Sequence, residues 1–327
     1  MICLGIESTA HTLGIAILDG KKVLANVSDT YKTEKGGIIP VEAARHHEKL
    51  KDELILRALN NAKMTLNDIE LIAYSKSPGL APCLKVGAML AKDLHEKLNK
   101  PAIGVNHCIA HLEIGRMMTE AKDPVLLYAS GANTQIIAYA AGKYRIFGET
   151  LDIGVGNFID TFARSAGLGF PGGPKIAELA KKSSHLIELP YSVKGMDVAF
   201  SGLLTNLQQK LKAGIKLEDL SYSLQETAFA MLLEVSERAL AHLGKKELLL
   251  GGGVACNERL QEMARKMCEE RDAEAYWPER QFLVDNAAMI AWLGILMHKA
   301  GRSGEKQGEI DFDASERTDD VRVNWRK

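Results

Sequence analysis

The chain has 327 residues, 46% hydrophobic and 25% charged, with a formal net charge of -1, the composition of an ordinary globular protein whose length favours two domains. Five cysteines, an odd number with no C-x-x-C pair, argue against a disulfide framework and a thiolate zinc site and fit a reducing cytoplasm. No basic flank opens Met1–Ile6 and no apolar run reaches the roughly 20 residues that span a bilayer, so neither secretion nor a membrane partner is expected, and the near-neutral charge leaves nucleic-acid binding to a local patch or to partner subunits.

In chain order, the alternation of apolar residues predicts a β-meander of Ile2–Ser8, Leu13–Leu18 and Lys22–Ser28, turning at Asp19-Gly20-Lys21. Helical periodicity follows over Val41–Lys63, then a strand over Ile69–Ser75, a helix over Leu84–Leu98 and a strand over Ala102–Asn106. A second copy of the meander begins at Val125. Sliding the chain by 122 residues aligns Leu4, Ser8, Ala10, Thr12, Ile15, Ala16, Gly20 and Lys21 with identical residues from Leu126 to Lys143, eight identities in eighteen positions. Chance on an average composition gives about one, so two halves share one unit. The second half continues with helices over Gly156–Ala166 and Leu220–Leu243, a strand over Glu247–Leu250, a helix over Asn257–Glu270, a strand over Ala273–Trp277 and a helix over Val284–Lys299. From Gly301 onward the chain is polar and charge-rich, which leaves a packed appendage and a disordered end both open.

Meanders followed by βαβ crossovers mean mixed sheets with helices on their faces, and two such halves enclose a cleft suited to a nucleotide. The expected division is a first domain over 1–120, completed by part of 285–327, and a second over 121–284. Four turns are dense in glycine or small polar residues: Ser130–Asn133, Gly154–Asn157, Pro171–Pro174 and Gly251–Gly253. Each is read as lying where a strand ends. Glycine lets backbone N–H groups approach an anion and a following helix adds its positive end, although any one of these turns is equally a tight connection. No G-x-x-x-x-G-K-[ST] and no G-x-G-x-x-G after the first strand is present, so phosphate binding is read as actin-like by elimination, and the expected fold class is α/β, a duplicated ribonuclease H-like/actin-like (ASKHA) fold.

His107 and His111 lie four apart, directly after the strand ending in Asn106. On a helix both rings leave one face at the spacing a metal needs, and a strand-to-helix junction at the carboxyl end of a sheet is where α/β ligand sites form. Two histidines at this spacing are as often polar packing or solvent-facing. Asp285 occupies a comparable junction, and two imidazoles with one carboxylate suit iron or zinc. In a H-E-x-x-H peptidase the general base follows the first histidine; here that position is Cys108, so peptide hydrolysis lacks its base.

The assembled stretches resemble the archaeal and eukaryotic KEOPS-complex subunit of the TsaD family, once labelled O-sialoglycoprotein endopeptidases. They are Gly5–Thr12, Gly36–Pro40 through His47, Pro78–Leu84, Asn106–His111, Tyr128–Asn133, Phe170–Pro174, Phe200–Thr205 and Gly251–Asn257, and the resemblance around them covers nearly the whole chain. The resemblance implies a tRNA N6-adenosine threonylcarbamoyltransferase, which passes the threonylcarbamoyl group of threonylcarbamoyl-AMP to the adenosine 3′ of the anticodon in ANN-decoding tRNAs and releases AMP. It also implies one iron or zinc ion on His107, His111 and Asp285, with Tyr128 as a fourth ligand beside a substrate loop of Tyr128, Ala129, Ser130, Gly131 and Ala132. Asp160 and Gly173 would meet the ribose and phosphate of the adenylate or ATP, and Asn257 the adenine side. A kinase-like subunit and small dimerising subunits are the implied partners, and they would supply basic surface for tRNA.

Two positions depart from the family pattern. Ser77 stands where glycine is expected, and Ala177 where close relatives carry an acid; Glu178 beside it points about 100° away on a helix. Glu7 is read either as positioning nucleotide or water, or as a solvated strand-end carboxylate. His46 and His47 are read as solvated, partner-facing or tRNA-facing, Cys108 and Cys256 as small buried residues, and Trp277 and Trp292 as core. The competing functions are an ATP-dependent phosphotransferase of the same fold, which would favour aspartates and magnesium, and a non-catalytic scaffold, which would not need a metal triad.

Overall fold

The computed structural model describes residues 1–33, 37–305 and 308–326; Gly36 of the expected Gly36–Pro40 motif lies outside them. The first half opens with β1 (Ile2–Glu7), β2 (Thr12–Asp19) and β3 (Lys22–Thr30), then α1 (Pro40–Ala62), β4 (Leu71–Ser77), α2 (Ala81–Leu98), β5 (Ala102–Asn106) and α3 (His107–Met118). Next come β6 (Val125–Ala129), β7 (Thr134–Ala140), β8 (Lys143–Glu149), α4 (Val155–Ser165) and α5 (Gly173–Ala180). A hairpin of β9 (Val193–Lys194) and β10 (Asp197–Val198) leads to α6 (Ser201–Lys212), α7 (Leu217–Leu243), β11 (Glu247–Gly251), α8 (Glu258–Glu269) and β12 (Glu274–Tyr276), and the short α9 (Arg280–Leu283) precedes α10 (Ala287–Lys299).

The duplication is realised in the topology. One sheet runs β3-β2-β1-β4-β5 and the other β8-β7-β6-β11-β12, the same order of five strands, with the meander antiparallel and the remaining pairs parallel. Strands that end together in a parallel array place their following turns side by side. Glu7, Ser77 and Asn106 therefore share one edge of the first sheet, and Ala129 and Gly251 share the matching edge of the second. Helix α10 packs on β1, β2 and β4, whereas α3 lies between the sheets, touching β5 on one side and β11 and β6 on the other.

The expected helix over Val284–Lys299 is corrected. Val284, Asp285 and Asn286 are not helical, because the Asn286 side chain caps α10 through the N–H of Met289 (3.1 Å) and bonds back to the Val284 carbonyl (2.8 Å). An asparagine N-cap holds its own backbone outside the helix, and Asp285 is thereby turned toward α3. Periodicity also passed over α5, which has only eight residues, and α6, whose exposed polar residues dilute the apolar stripe. Among the described residues no helix is long and apolar enough to cross a membrane.

Candidate metal centre

Four side chains from two elements and one loop converge. Asn106 ends β5 and caps α3, its side-chain oxygen accepting from the N–H groups of Cys108 (3.1 Å) and Ile109 (3.2 Å), so α3 starts with His107 at its first residue. One turn on, His111 brings its ring centroid to 4.8 Å from that of His107. Asp285 Oδ1 stands 3.3 Å from His107 Nε2 and 3.4 Å from His111 Nε2, and Tyr128, near the end of β6, places its hydroxyl 3.0 Å from His107 Nε2. The ligand atoms of His107, His111 and Asp285 all lie within 4.8 Å of one another.

The surroundings select which nitrogen faces this point. Glu7 is fully buried at the end of β1, and its Oε2 accepts from His107 Nδ1 at 3.0 Å; its Oε1 accepts from the Thr9 N–H (2.7 Å) and from the Thr9 hydroxyl. A carboxylate on Nδ1–H fixes the tautomer and leaves the Nε2 lone pair for a cation. Glu7 thus orients the first histidine and is not the solvated carboxylate, one of its two expected readings. The signal that would have found it is a carboxylate closing an otherwise apolar strand two residues before a threonine. His111 Nδ1 is buried and has no hydrogen-bond partner among the described residues.

The electrostatics set a competition between a proton and a cation at this point. Burial opposes charge on His107, but Tyr128, Glu7 and Asp285 raise its pKa well above the ordinary value. Burial alone would raise Asp285, yet the two imidazoles hold its carboxyl well below the usual range. His111 is lowered, chiefly by burial, and burial pushes the Tyr128 phenol up. Two imidazole nitrogens, a carboxylate and a phenol oxygen around one point are a donor set that fits iron or zinc better than magnesium, which prefers oxygen throughout.

The glycine-rich turns divide into two kinds. A Cβ on Gly154 would lie 2.5 Å from the carbonyl oxygens of Gly131 and Ala132, and one on Gly252, which has φ of 90°, 2.4 Å from the Ala129 carbonyl oxygen. These glycines let the turns pack on each other, and close backbone approach requires glycine at Gly154 and Gly252 whether or not a ligand is bound. Gly173 differs, since a Cβ there meets nothing within 4 Å. The Pro171–Pro174 turn follows α4, not a strand, and the Gly172 N–H donates to Asp160 Oδ1 at 2.7 Å. Burial raises the Asp160 carboxyl, and the N–H groups of Gly172 and Gly173 act against that rise. Ser130 closes its own turn, exchanging bonds with Asn133, and Asn157 N–H donates to the Gly131 carbonyl at 2.9 Å. Asn257 caps α8 and donates to Gln225 Oε1 at 2.9 Å, so its side chain is held in place. The structure therefore gathers His107, His111, Tyr128 and Asp285 into one cluster and joins Asp160 to the Gly172-Gly173 turn, while Asn257 belongs to a third group with Gln225.

Several secondary readings change. His47 is fully buried and bonds the Ala10 carbonyl through Nε2 (3.0 Å), and His46 pairs with Asp29 (2.9 Å), so His47 is polar packing rather than solvated surface. Burial lowers His47 to about 4 from 6.5. A base whose folded pKa is depressed stays neutral while the unfolded chain takes up a proton, so stability is lost as pH falls from 6.5 toward 4, by roughly 3 kcal/mol over that window. Urea unfolding at pH 7 and pH 4.5 should show a smaller acid loss in His47→Gln, which keeps a donor for Ala10; equal losses would remove His47 from the account. Cys256 is half-buried rather than buried, and Trp277 is half-buried with Arg265 over its ring at 5.2 Å. Glu178 is exposed and pairs with Lys181, so it does not replace the acid missing at Ala177. Ser77 is fully buried and donates to Glu316.

Two mixed sheets of identical strand order, joined around a buried ligand cluster, define the duplicated actin-like class. The activator of 2-hydroxyisocaproyl-CoA dehydratase from Clostridium difficile, solved with bound ADPNP, shares this fold at a TM-score of 0.59 and 12% identity, over 91% of this chain and 96% of that one. The family model of TsaD, described as tRNA N6-adenosine threonylcarbamoyltransferase, matches residues 22–292, and the chain belongs to this family. A tRNA N6-adenosine threonylcarbamoyltransferase of Thermococcus sibiricus is 56% identical over 99% of this chain and 100% of its own length. A probable bifunctional tRNA threonylcarbamoyladenosine biosynthesis protein of Methanocaldococcus jannaschii is 55% identical over all of this chain, which spans 61% of that protein.

Proposed function

We propose that this chain transfers the threonylcarbamoyl group of threonylcarbamoyl-AMP to the N6 amine of the adenosine 3′ of the anticodon in ANN-decoding tRNAs, as part of a cytoplasmic KEOPS assembly with a kinase-like and small dimerising subunits. The observation that carries this is the convergence of His107, His111, Asp285 and Tyr128 in a chain of the TsaD family. An iron or zinc ion held by these four would act as a Lewis acid on the mixed anhydride and balance charge as AMP departs.

The protein's own residues mainly position the reactants. Glu7 fixes the His107 ring, and the loop Tyr128–Ala132, closed by the Ser130–Asn133 bonds, lies beside the donor's acyl end. Asp160 and the open Gly173 take the ribose and phosphate, with the held amide of Asn257 on the adenine side. In this division residues 1–120 with part of 285–327 form one domain and 121–284 the other. The amine nitrogen attacks the carbamoyl carbon, the new C–N bond forms, the C–O bond to phosphate breaks with its electron pair leaving on AMP, and the amine proton passes to solvent. Orientation of this kind supplies much of the rate of an acyl transfer. The neighbour of His107 that a peptidase would use as base is Cys108, a buried thiol whose pKa burial raises. Hydrolysis is therefore unsupported, and a single-stranded loop base is the acceptor a protein reaches most readily.

With labelled threonine, bicarbonate, ATP, the adenylate-forming enzyme and the partner subunits, label should enter an ANN-decoding tRNA and vanish when the adenosine 3′ of the anticodon is replaced by guanosine. Equal labelling of both, or of free adenosine, contradicts the assignment.

A further inference from the structure

Beyond the metal centre, the segment after α10 ties the two sheets together across the back of α3. It begins on the first sheet, where the Asp313 N–H donates to the Lys76 carbonyl (3.0 Å) and Ser77 holds Glu316. Arg317 then bonds Glu149 of β8 at 3.0 Å, and Thr318 is buried against Cys108 of α3. Near 325 the segment reaches Glu113, a carboxylate only 1% exposed, two residues beyond His111 and nearly opposite it on the helix. Glu113 accepts from Trp325 Nε1 (2.8 Å), from Arg116 (2.7 Å) and from the Tyr144 hydroxyl of β8. Arg326 lies over the Tyr139 ring of β7 at 4.3 Å and donates to Tyr144 (3.2 Å) and Asp123 (2.9 Å).

A buried carboxylate that takes donors from its own helix, from the second sheet and from this strap fixes both the rotation and the axial position of α3. The second sheet is also the one that carries Tyr128 on β6. We infer that Glu113, clasped by Trp325, Arg116 and Tyr144, is a positioning residue that sets the His107–His111 face of α3 against Tyr128 and Asp285, so that the strap tunes the affinity and geometry of the metal centre. The inference rests on the reading of that centre given above.

The test uses the full-length chain with Trp325→Phe, which removes one N–H and keeps the ring, and with Glu113→Gln. Zinc affinity is measured by competition with a chromophoric chelator, and geometry by the visible bands of the cobalt-substituted protein. Zinc binding is expected to weaken by up to about tenfold, the lower end of what losing a direct outer-sphere partner costs, because Glu113 acts through the helix and not on a ligand, with altered cobalt bands. A role confined to general stability would instead lower the melting temperature and leave both readouts unmoved. If Glu113→Gln does not fold, Trp325→Phe decides. Wild-type protein that binds zinc alongside folded variants of unchanged affinity overturns the strap alone; wild-type protein that binds no ion overturns the metal centre and the strap with it.

Discussion

Replacing His107 and His111 together with alanine is expected to empty the metal centre and to lower transfer about a thousandfold, the worth of several kcal/mol of charge stabilisation at the reacting centre. Both nitrogens that face Asp285 disappear, and a carboxylate with a phenol is too poor a donor set to retain iron or zinc. The fold should survive. Helix α3 keeps its Asn106 cap and its Glu113 anchor, neither of which involves the imidazoles. Some stability is lost with the imidazole partners of Asp285 and Glu7, a loss limited by the Thr9 donors that Glu7 keeps and by the partial exposure of Asp285. Elemental analysis by plasma mass spectrometry of protein purified without chelators reads the first effect, with about one iron or zinc per wild-type chain expected. Full metal occupancy in the double variant would place the ion elsewhere.

The second large effect is expected at Gly173. A Cβ there meets nothing within 4 Å, so Gly173→Val is expected to fold, while its branched side chain stands where backbone N–H groups would approach a phosphate. Loss of a hydrogen bond to a charged group is worth about 1.5–3 kcal/mol, so AMP or ATP binding measured by calorimetry should weaken by roughly 10- to 100-fold. Gly252 is the contrasting position. Its φ of 90° and the 2.4 Å approach to the Ala129 carbonyl make any side chain there a fold defect, so Gly252→Val should unfold more easily whatever it does to the nucleotide. Unchanged affinity in a folded Gly173→Val would remove this turn from the nucleotide site.

How far the sequence could be read depended on whether a feature was local. Apolar alternation and helical periodicity placed the meanders and most helices within a few residues, and the eight identities at a shift of 122 residues anticipated the repeated strand order. The His107–His111 spacing is local as well, and Asp285 could be paired with it because each follows the end of a structural element. What stayed hidden depends on contacts between distant segments. Nothing near Glu7 announces that His107 will be its partner, one hundred residues along the chain. His47 reads as surface by composition and is buried because Ala10 offers it a carbonyl. At Gly154 and Gly252 the sequence carries no record of the carbonyls that their turns approach. The polar segment after Gly301 left order and disorder open until Tyr74, Ser77, Glu113 and Tyr144 appeared beneath it as its partners.

Nucleoside mass spectrometry of unmodified ANN-decoding tRNA tests the central claim most directly, after incubation with this chain, its partner subunits, the adenylate-forming enzyme, threonine, bicarbonate and ATP. Threonylcarbamoyladenosine should form at the position 3′ of the anticodon with the wild-type chain and fall to background when His107 and His111 are alanine. Its absence with the wild-type chain, with labelled phosphate from ATP recovered on a small metabolite instead, would contradict the account and reassign this fold to phosphoryl transfer.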